Sequence, residues 1–356
     1  MSRIYINYGT DLQEMTFDLM KAARVAERLD ASMRALIKPN LVMARAADGG
    51  ATTHPGIVEG IILFLRKSGV RSIVIAEGSW VGDSTRRAFE TCGYAALAKK
   101  YGAELIDTKA DGVVRRKSCG VELSLCESLL KADYIINVPV LKGHCQTGMT
   151  CCLKNLKGCI PDSEKRRYHT TGLHRPIAAL AAAIRPDLHI VDGICGDLSF
   201  EEGGNPVEAN RIMLGFDPVL LDSYGARLMG YKPDEIEHLR LAAEYGVGQF
   251  ADSGTEIIEM NKGSKPKVQA SGSRDAKRLG QFIDEDGACS ACYAALIFAL
   301  HRVGQKDFGG KIHIGQGFKG KSAEGTGVGD CTAGCSRSIP GCPPKASDIG
   351  DALQAY

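Results

Sequence analysis

Five cysteines near the carboxyl end of the chain are the residues that most directly suggest chemistry. They occur as Cys289-x2-Cys292, then 38 intervening residues, then Cys331-x3-Cys335-x6-Cys342. A C-x2-C pair brings two thiolates to one metal centre from a single turn, and a distant group can complete a set of four. The chain has 13 cysteines and its amino-terminal stretch MSRIYINYGTDLQEM has no signal-peptide pattern, so we expect reduced thiols that bind metal rather than a disulfide framework.

The sequence around these cysteines favours an iron–sulfur cluster over zinc. The last cysteine stands in GCPP, and a proline after the final ligand is typical of cluster-binding runs. A zinc ribbon would repeat its C-x2-C pair after about 15–20 residues. We therefore expect one [4Fe–4S] cluster held by Cys289, Cys292, Cys342 and either Cys331 or Cys335, with Cys331 slightly favoured. Zinc is the alternative cofactor.

Charged side chains at the ends of predicted strands form a second candidate site. The apolar runs ALIK, IVIAE, VPVLK and HIVD each end on a charged residue, and two histidines follow nearby. In an open α/β sheet, ligands bind beyond the carboxyl ends of the strands. Ion pairs at the strand ends are the purely structural alternative. We expect six residues to meet in one crevice, namely Lys38, His54, Glu77, Lys142, His144 and Asp192.

The segment TGMTCCLKNLKG, residues 147–158, is predicted to form an amphipathic helix directly after one of these strands. Thr147, Thr150, Lys154 and Lys157 are spaced by three, four and three residues, so on a helix they share one stripe. The helix N-terminus and the lysines both favour an anion, and the basic run EKRRYH follows soon after. The expected ligand is therefore a small anion, either a phosphate or a carboxylate.

Alternating strand-like and helix-like stretches position these candidate sites. The predicted strands, such as SIVIAEGS, are short and almost continuously apolar, which is typical of a parallel sheet covered on both faces. We predict an α/β fold with an open, mostly parallel, doubly wound sheet and a C-terminal cysteine-rich iron–sulfur module. The predicted organisation is an α/β ligand-binding domain (1–250), a linker or surface excursion (251–281) and the cluster module (282–356).

Composition and charge exclude several classes of function. The chain has 356 residues, 44% apolar and 24% charged, with a formal net charge of +2. Such a balance gives no strong attraction to nucleic acid or membranes. Its longest apolar runs are far shorter than the ~20 residues needed to span a bilayer. We expect a cytoplasmic protein with neither a nucleic-acid nor a membrane partner.

Several separated motifs, in order over about residues 1–230, resemble the proteins that carry the domain of unknown function 362. The motifs are KPNLV, THPGIVEGII, NVPVLKGHCQTGMTCCLKNLKG and EGGNPVEANRIMLGFDPVLLD. Some members are described as uncharacterised iron–sulfur-centre proteins, and the tail CSACYAAL…GCPP is similar to that variety. The resemblance implies a cluster but no substrate. Its motif positions imply the site residues Lys38, Asn40, His54, Lys142, His144, Thr147, Lys154 and Asn155.

These features together predict an iron–sulfur redox or electron-transfer protein whose α/β domain binds a small anionic ligand or a redox partner protein. Lys142 and Lys154 would neutralise charge on a reduced ligand, and His54 or His144 would supply a proton. One alternative is a non-redox cluster enzyme of the hydro-lyase type with an open iron site. Another is a redox sensor or a zinc-stabilised binding protein.

Overall fold

The computed structural model describes residues 2–261, 278–304, 308 and 310–355. The strands are β1 (Arg3–Tyr8), β2 (Arg34–Pro39), β3 (Ser72–Glu77), β4 (Glu104–Asp107), β5 (Val113–Ser118), β6 (Val121–Cys126), β7 (Tyr134–Val138), β8 (Lys142–His144), β9 (Gly148–Thr150), β10 (Leu188–Asp197), β11 (Pro206–Gly215), β12 (Glu256–Glu259), β13 (Ile283–Glu285), β14 (Ile312–Ile314), β15 (Ala323–Val328) and β16 (Cys335–Ile339). The helices are α1 (Leu12–Ala22), α2 (Pro55–Lys67), α3 (Thr85–Thr91), α4 (Tyr94–Tyr101), α5 (Glu127–Leu130), α6 (Cys152–Asn155), α7 (Asp162–Thr171), α8 (His174–Ile184), α9 (Pro218–Leu228) and α10 (Glu237–Glu244), followed by the tail helices Ser290–Val303 and Ala346–Gln354.

A large, mostly parallel sheet forms the centre of the α/β part. Its eight strands lie in the order β12-β1-β11-β10-β7-β2-β3-β4. Strands β10, β7, β2, β3 and β4 run parallel to one another, whereas β11 is antiparallel to both of its neighbours. The mixed α/β fold with a mostly parallel sheet is confirmed. The motif segment GNPVEANRIMLG contains β11, which pairs with β10 as an antiparallel hairpin.

Apolar side chains cover both faces of this sheet. Leu36 and Val74 belong to the core that includes residues of α8 and α9. Their chain neighbours Ile37 and Ile75 belong to the core that includes residues of α1 and α2. Successive strand residues point to opposite faces, so a strand buried on both sides is apolar throughout. This packing explains the continuous apolar runs in the sequence.

The tail forms a smaller parallel sheet, β13-β14-β15-β16, with its own apolar cluster. Phe200 of the α/β part joins this cluster and packs edge-on against Phe298, with ring centroids 5.5 Å apart. Gln146 donates to Glu285 at 2.7 Å and accepts from Ser290 at 2.8 Å. The tail is therefore docked on the loops that follow β8 and β10. No helix in the described ranges is both long and apolar enough to cross a membrane.

The segment 147–158 is not one helix, so the predicted four-residue stripe is wrong. Gly148, at φ +78°, helps to turn the chain between β8 and β9, and Thr150 ends β9. Helix α6 begins only at Cys152, where the Asp222 carboxylate accepts the amide protons of Cys152 and Leu153 at 2.7 and 3.1 Å. A short 3-10 turn then carries Lys157. The partner that starts this helix lies 70 residues away in the chain, beyond the reach of a local pattern.

The stretch predicted as a linker, 251–281, contains an element of the main sheet. Strand β12 pairs in parallel with β1, with Arg3 opposite Glu256 and Ile4 opposite Ile257. Residues 262–277 of the predicted linker lie outside the described residues. The sheet thus extends by one edge strand beyond the predicted ligand-binding domain.

Candidate functional site

A solvent-open cleft with a cavity volume of about 100 Å³ lies beyond the carboxyl ends of β2 and β3. One side is built from these strand ends, the loop after β3 and the segment around α6 and α7. The other side is built from the first residues of the tail helix Ser290–Val303 and from Cys289, which precedes it. The cleft therefore joins the two candidate sites that the sequence indicated separately.

Five of the predicted anion-site residues line this cleft: Lys38, Asn40, Glu77, Lys154 and Asn155. The five others, which are His54, Lys142, His144, Thr147 and Asp192, are not among its lining residues. The predicted crevice is therefore divided between a cleft surface and a buried layer behind it.

Lys38 and Glu77 form a fully buried ion pair, with Lys38 Nζ 2.9 Å from Glu77 Oε2. Lys38 Nζ also donates to Asn155 Oδ1 and to the Pro39 carbonyl, each at 3.0 Å. Glu77 accepts the amide proton of Leu41 at 2.9 Å. An ammonium has three donors, and all three are used here. This pair therefore fixes the strand ends and adds no net charge to the cleft.

Lys142 is fully buried behind the cleft. Its Nζ donates to the carbonyls of Ala51 and Glu201, the latter at 2.9 Å, and to Asn40 Oδ1 at 3.3 Å. Burial lowers the pKa of Lys142 to about 8. The ammonium ties β8 to the loop after β10, so it acts on the cleft through Asn40 and Glu201.

His144 is buried in the same layer. Its Nδ1 accepts the amide protons of Gln146 and Thr147 at 3.2 and 3.1 Å, so the ring proton sits on Nε2. Nε2 lies 3.0 Å from Glu201 Oε2. Burial and the charge of Lys154 lower the pKa of His144 to about 4. A neutral imidazole in this position orients the loop and the carboxylate.

Glu201 is a cleft residue that the sequence reasoning missed. Its carboxylate pairs with the ammonium of Lys154 and faces His144. Burial opposes its ionisation, but Lys154 and His144 outweigh burial and hold the pKa of Glu201 well below its usual range. Its position directly before the motif EGGNPVEANRIMLG was the one available signal.

His54 and Asp192 serve the start of α2. His54 Nδ1 accepts the amide proton of Gly56 at 3.1 Å, and the His54 amide donates to Asp192 at 2.8 Å. Burial raises the pKa of Asp192 to about 6. His54 lines a separate surface depression beside Thr10 and Asp11. Neither residue reaches the cleft.

Four hydrogen-bond donors in the cleft have no hydrogen-bond or ion-pair partner among the described residues. They are Thr150 Oγ1, Lys157 Nζ, the Arg166 guanidinium and His169 Nδ1. Burial and the nearby Lys154 lower the pKa of Lys157 to about 7. Burial and Lys157 likewise lower the pKa of His169. The basic run EKRRYH supplied the sequence signal for Arg166 and His169.

Four of the five tail thiols come together at the cleft side of the tail. Burial raises the pKa of Cys289, and so do the nearby thiols of Cys342 and Cys331. Burial and these same three thiols raise the pKa of Cys292 to about 12. The pKa of Cys335 is raised by burial alone, and its sulfur packs beside Gly327. The fourth thiol of the set is therefore Cys331.

Loop contacts hold the thiols of this set in place. The Gly329 amide donates to the Ile339 carbonyl at 2.8 Å, and the Gly341 amide donates to Asp330 at 2.6 Å. These bonds fix the loop before Cys331 against the loop before Cys342. Gln316 Nε2 lies 3.7 Å from Cys289 Sγ and donates a hydrogen bond to it. Such donors stabilise the negative charge of a thiolate.

A second group of potential metal ligands lies inside the α/β part. Ligand atoms of Cys151, Cys152 and Asp222 are within 4.8 Å of one another, and all three residues are buried. The Asp222 oxygens already accept two amide protons at the start of α6. This arrangement is a helix cap beside two thiols that are packed in the apolar core.

Residues 35–227 match the family model described as Domain of unknown function (DUF362). A thylakoid-associated protein of Synechocystis sp. is 27% identical over 188 residues, covering 51% of this chain and 57% of that protein. The chain thus spans a little over half the length of the curated relative it matches.

Two solved structures share a more distant likeness. A protein from Thermotoga maritima is 11% identical with a TM-score of 0.40, over 67% of this chain and 60% of that one. The lactate racemase apoprotein from Thermoanaerobacterium thermosaccharolyticum is 11% identical with a TM-score of 0.36, over 87% of this chain and 68% of that one. Likenesses of this extent say nothing about the activity of this chain.

Proposed function

This chain belongs to the DUF362 family, whose description assigns no activity, and we propose that it is an iron–sulfur redox protein in which a cluster and a bound anion share one cleft. The observation that carries the proposal is the position of Cys289, which lines the same cleft as Lys154 and Lys157. A metal centre on this wall would lie next to whatever anion the lysines bind. That arrangement suits electron transfer between the centre and a redox-active molecule that carries the anionic group.

The proposed ligands of the [4Fe–4S] cluster are Cys289, Cys292, Cys331 and Cys342. A single zinc ion with Zn–S bonds of about 2.3 Å would hold four sulfurs about 3.8 Å apart. In the described part of the chain, no three tail sulfurs lie within 4.8 Å of one another. The tail thiols are therefore not already gathered at the spacing of a zinc site, and the GCPP ending supports a cluster as the proposed centre. Zinc remains the alternative outcome of the metal analysis.

When bound, the cluster would supply one-electron transfer at the Cys289 wall of the cleft. The chain's own part is to bind and orient the anion. Lys157 and Arg166 offer basic donors that have no partner among the described residues, and Lys154 is held in place by Glu201. These residues take the role that the sequence suggested for Lys142. His169 lines the cleft and its buried Nδ1 has no partner among the described residues, so it is better placed to hydrogen-bond the anion than His54 or His144.

The set of four neighbouring thiols also bears on the alternatives. A hydro-lyase-type enzyme keeps one iron open for substrate, and four thiolate ligands leave no open iron. The proposal therefore includes electron exchange with a redox partner protein rather than hydration chemistry. It also includes a cytoplasmic location, since reduced thiols suit that compartment.

The test is to purify the protein without oxygen and to measure iron, sulfide and zinc. We expect about four irons and four sulfides per chain, with visible absorption that bleaches when dithionite is added. Cys331→Ser should lose the cluster spectrum, whereas Cys335→Ser, the matched control, should keep it. A colourless protein with one zinc would overturn the proposal. Equal loss of the spectrum in both variants would overturn the assignment of Cys331.

A further inference from the structure

We propose that the cleft contains a built subsite for a dianion, formed by Thr150, Lys157, Arg166 and His169. This inference rests on the proposed function in that it names the class of anion bound beside the cluster. None of the four residues is a proposed cluster ligand. The ligand chemistry is a dianionic oxyanion, either a phosphate group or a dicarboxylate.

The first argument comes from buried polar atoms without partners. Thr150 is 1% exposed, and its Oγ1 is buried with no hydrogen-bond partner among the described residues. The Nδ1 atom of His169 is in the same condition. Both residues line the cleft. Buried hydroxyl and ring N–H groups are almost always satisfied in proteins, so an acceptor from a ligand would complete this site.

The second argument comes from charge balance. Three lysines of the cleft wall already have carboxylate partners, whereas Lys157 and Arg166 have none among the described residues. The paired groups are Lys38 with Glu77, Lys154 with Glu201, and Lys165 with Asp162. The Asp162 carboxylate also pairs with Lys109, which is not a lining residue of the cleft. Arg166 carries a positive charge and a bound anion favours the protonated form of Lys157, so a ligand with two negative charges balances these two groups.

The third argument comes from donor type. An ammonium, a guanidinium, a hydroxyl and an imidazole N–H can all donate at once to oxygens of one group. Lysine binds an oxyanion as a point charge, and arginine binds it with a planar fork. The four residues together match the oxygens of a phosphate or of a carboxylate pair. A cation or a neutral apolar ligand would leave these donors unsatisfied.

Trp80 provides a direct readout of occupancy. It is the single tryptophan of the 356-residue sequence, and it lines the cleft. We would titrate the full chain, purified without oxygen, with inorganic phosphate and separately with succinate, and follow Trp80 fluorescence. Acetate serves as the monoanion. We expect saturable binding of phosphate, succinate or both, at least about tenfold tighter than acetate, because each 1.4 kcal/mol of added interaction gives a factor of ten.

Variants make the assignment specific. Lys157→Met and Thr150→Val should each lower the affinity for the dianion by about tenfold or more, since each removes a hydrogen bond to a charged group. Thr150→Ser keeps the hydroxyl and should bind like the parent chain. Lys117→Met removes an exposed lysine outside the cleft and should also bind like the parent. An unchanged far-ultraviolet circular dichroism spectrum and urea midpoint in each variant show that it has folded.

The outcomes distinguish a phosphate ligand from a dicarboxylate ligand, and they test the dianion subsite separately from the cluster. Binding of phosphate alone assigns a phosphoryl group, and binding of succinate alone assigns a dicarboxylate. Acetate binding as tightly as both dianions would overturn the inference, and so would equal affinities of the parent and Lys157→Met. Metal analysis of the same sample tests the cluster independently. Failure of one proposal therefore leaves the other measurable.

Discussion

At the scale of single residues, the buried side chain of His189 contributes to the pH dependence of the free energy of unfolding. His189 is fully buried on β10, and Asn137 Nδ2 lies 3.1 Å from its Nδ1. Its Nε2 is buried without a partner among the described residues. A second ring proton would need an acceptor that this environment lacks. Burial therefore lowers the pKa of His189 to about 3.

This shift predicts an acid-sensitive contribution to stability. Between pH 3 and 6.5 the unfolded chain binds a proton at His189 and the folded chain does not, so the free energy of unfolding falls as the pH falls through that window. From pH 7 to pH 5 the loss from this one group is about 2 kcal/mol. In His189→Asn this part of the loss should vanish, as measured by urea denaturation at both pH values. An unchanged pH dependence in the variant would contradict the prediction.

The position of the elements that line the cleft depends on a close approach of the backbone at Gly158 to the ends of β2 and β3. Gly158 lies in the 3-10 turn after α6, beside the Lys38–Glu77 pair. A Cβ atom at this position would overlap a Glu77 carboxylate oxygen and the Lys38 ammonium. The turn can approach β2 and β3 this closely only because residue 158 has no side chain.

We therefore predict that Gly158→Ala lowers the free energy of unfolding by about 3 kcal/mol, because it displaces a buried ion pair. Gly350→Ala is the matched control. Gly350 lies in the tail helix Ala346–Gln354 with open space around its Cβ position, so alanine there should raise stability by up to about 1 kcal/mol. Chemical denaturation of both variants measures the difference. Equal effects of the two substitutions on the free energy of unfolding would contradict the prediction, because the turn would then accept a Cβ atom without loss of stability.

Local patterns predicted the elements that are governed by neighbouring residues. The break between α3 and α4 at Gly93 follows from a glycine at φ +82°, and the apolar runs of β2 and β3 follow from burial on two faces. The hairpin β5–β6 was missed, although its two-residue turn Cys119–Gly120 has positive φ at both positions. Strand β6 (VELSLC) alternates polar and apolar residues but β5 (VVRRKS) does not, so the local signal for this hairpin is weak.

The candidate site was predictable only in part, for reasons of long-range geometry. Strand-end positions identified Lys38 and Glu77, but sequence cannot show that a loop 59 residues further along the chain buries Lys142. The spacing of Cys331 and Cys335 in the sequence likewise does not show which of the two sulfurs points toward the other tail cysteines. In the structure Cys335 begins β16 and turns its sulfur toward Gly327, away from the other thiols. Such choices depend on contacts between distant segments.

At the scale of the whole molecule, the tail and the α/β part have unequal means of stabilisation. Two large apolar cores hold the main sheet, whereas the tail has one smaller cluster and short strands. Small units with limited apolar burial usually need a metal or a disulfide. The tail should therefore take much of its stability from the proposed cluster, because metal binding and folding share one free energy.

Removal of iron should consequently loosen the tail alone. We expect the amides of β14 and β15 to exchange at least about tenfold faster after anaerobic chelation, since each 1.4 kcal/mol of lost stabilisation gives a factor of ten. The amides of β2 and β7 should be nearly unaffected. Hydrogen exchange followed by mass spectrometry gives both values in one experiment. Full protection of the tail without iron would show that its apolar cluster suffices.

The shared wall of the cleft has a consequence for how this protein can diverge. Cys289, Ser290 and Ala291 come from the tail, whereas Lys38 and Glu77 come from the strand ends. An exchange of the tail for another module would remove one side of the pocket together with the thiols. Substitutions at Ser290 or Ala291 would alter ligand choice and the surroundings of Cys289 in the same step. A change in the ligand that the cleft binds and a change in the proposed metal centre are therefore coupled in this chain.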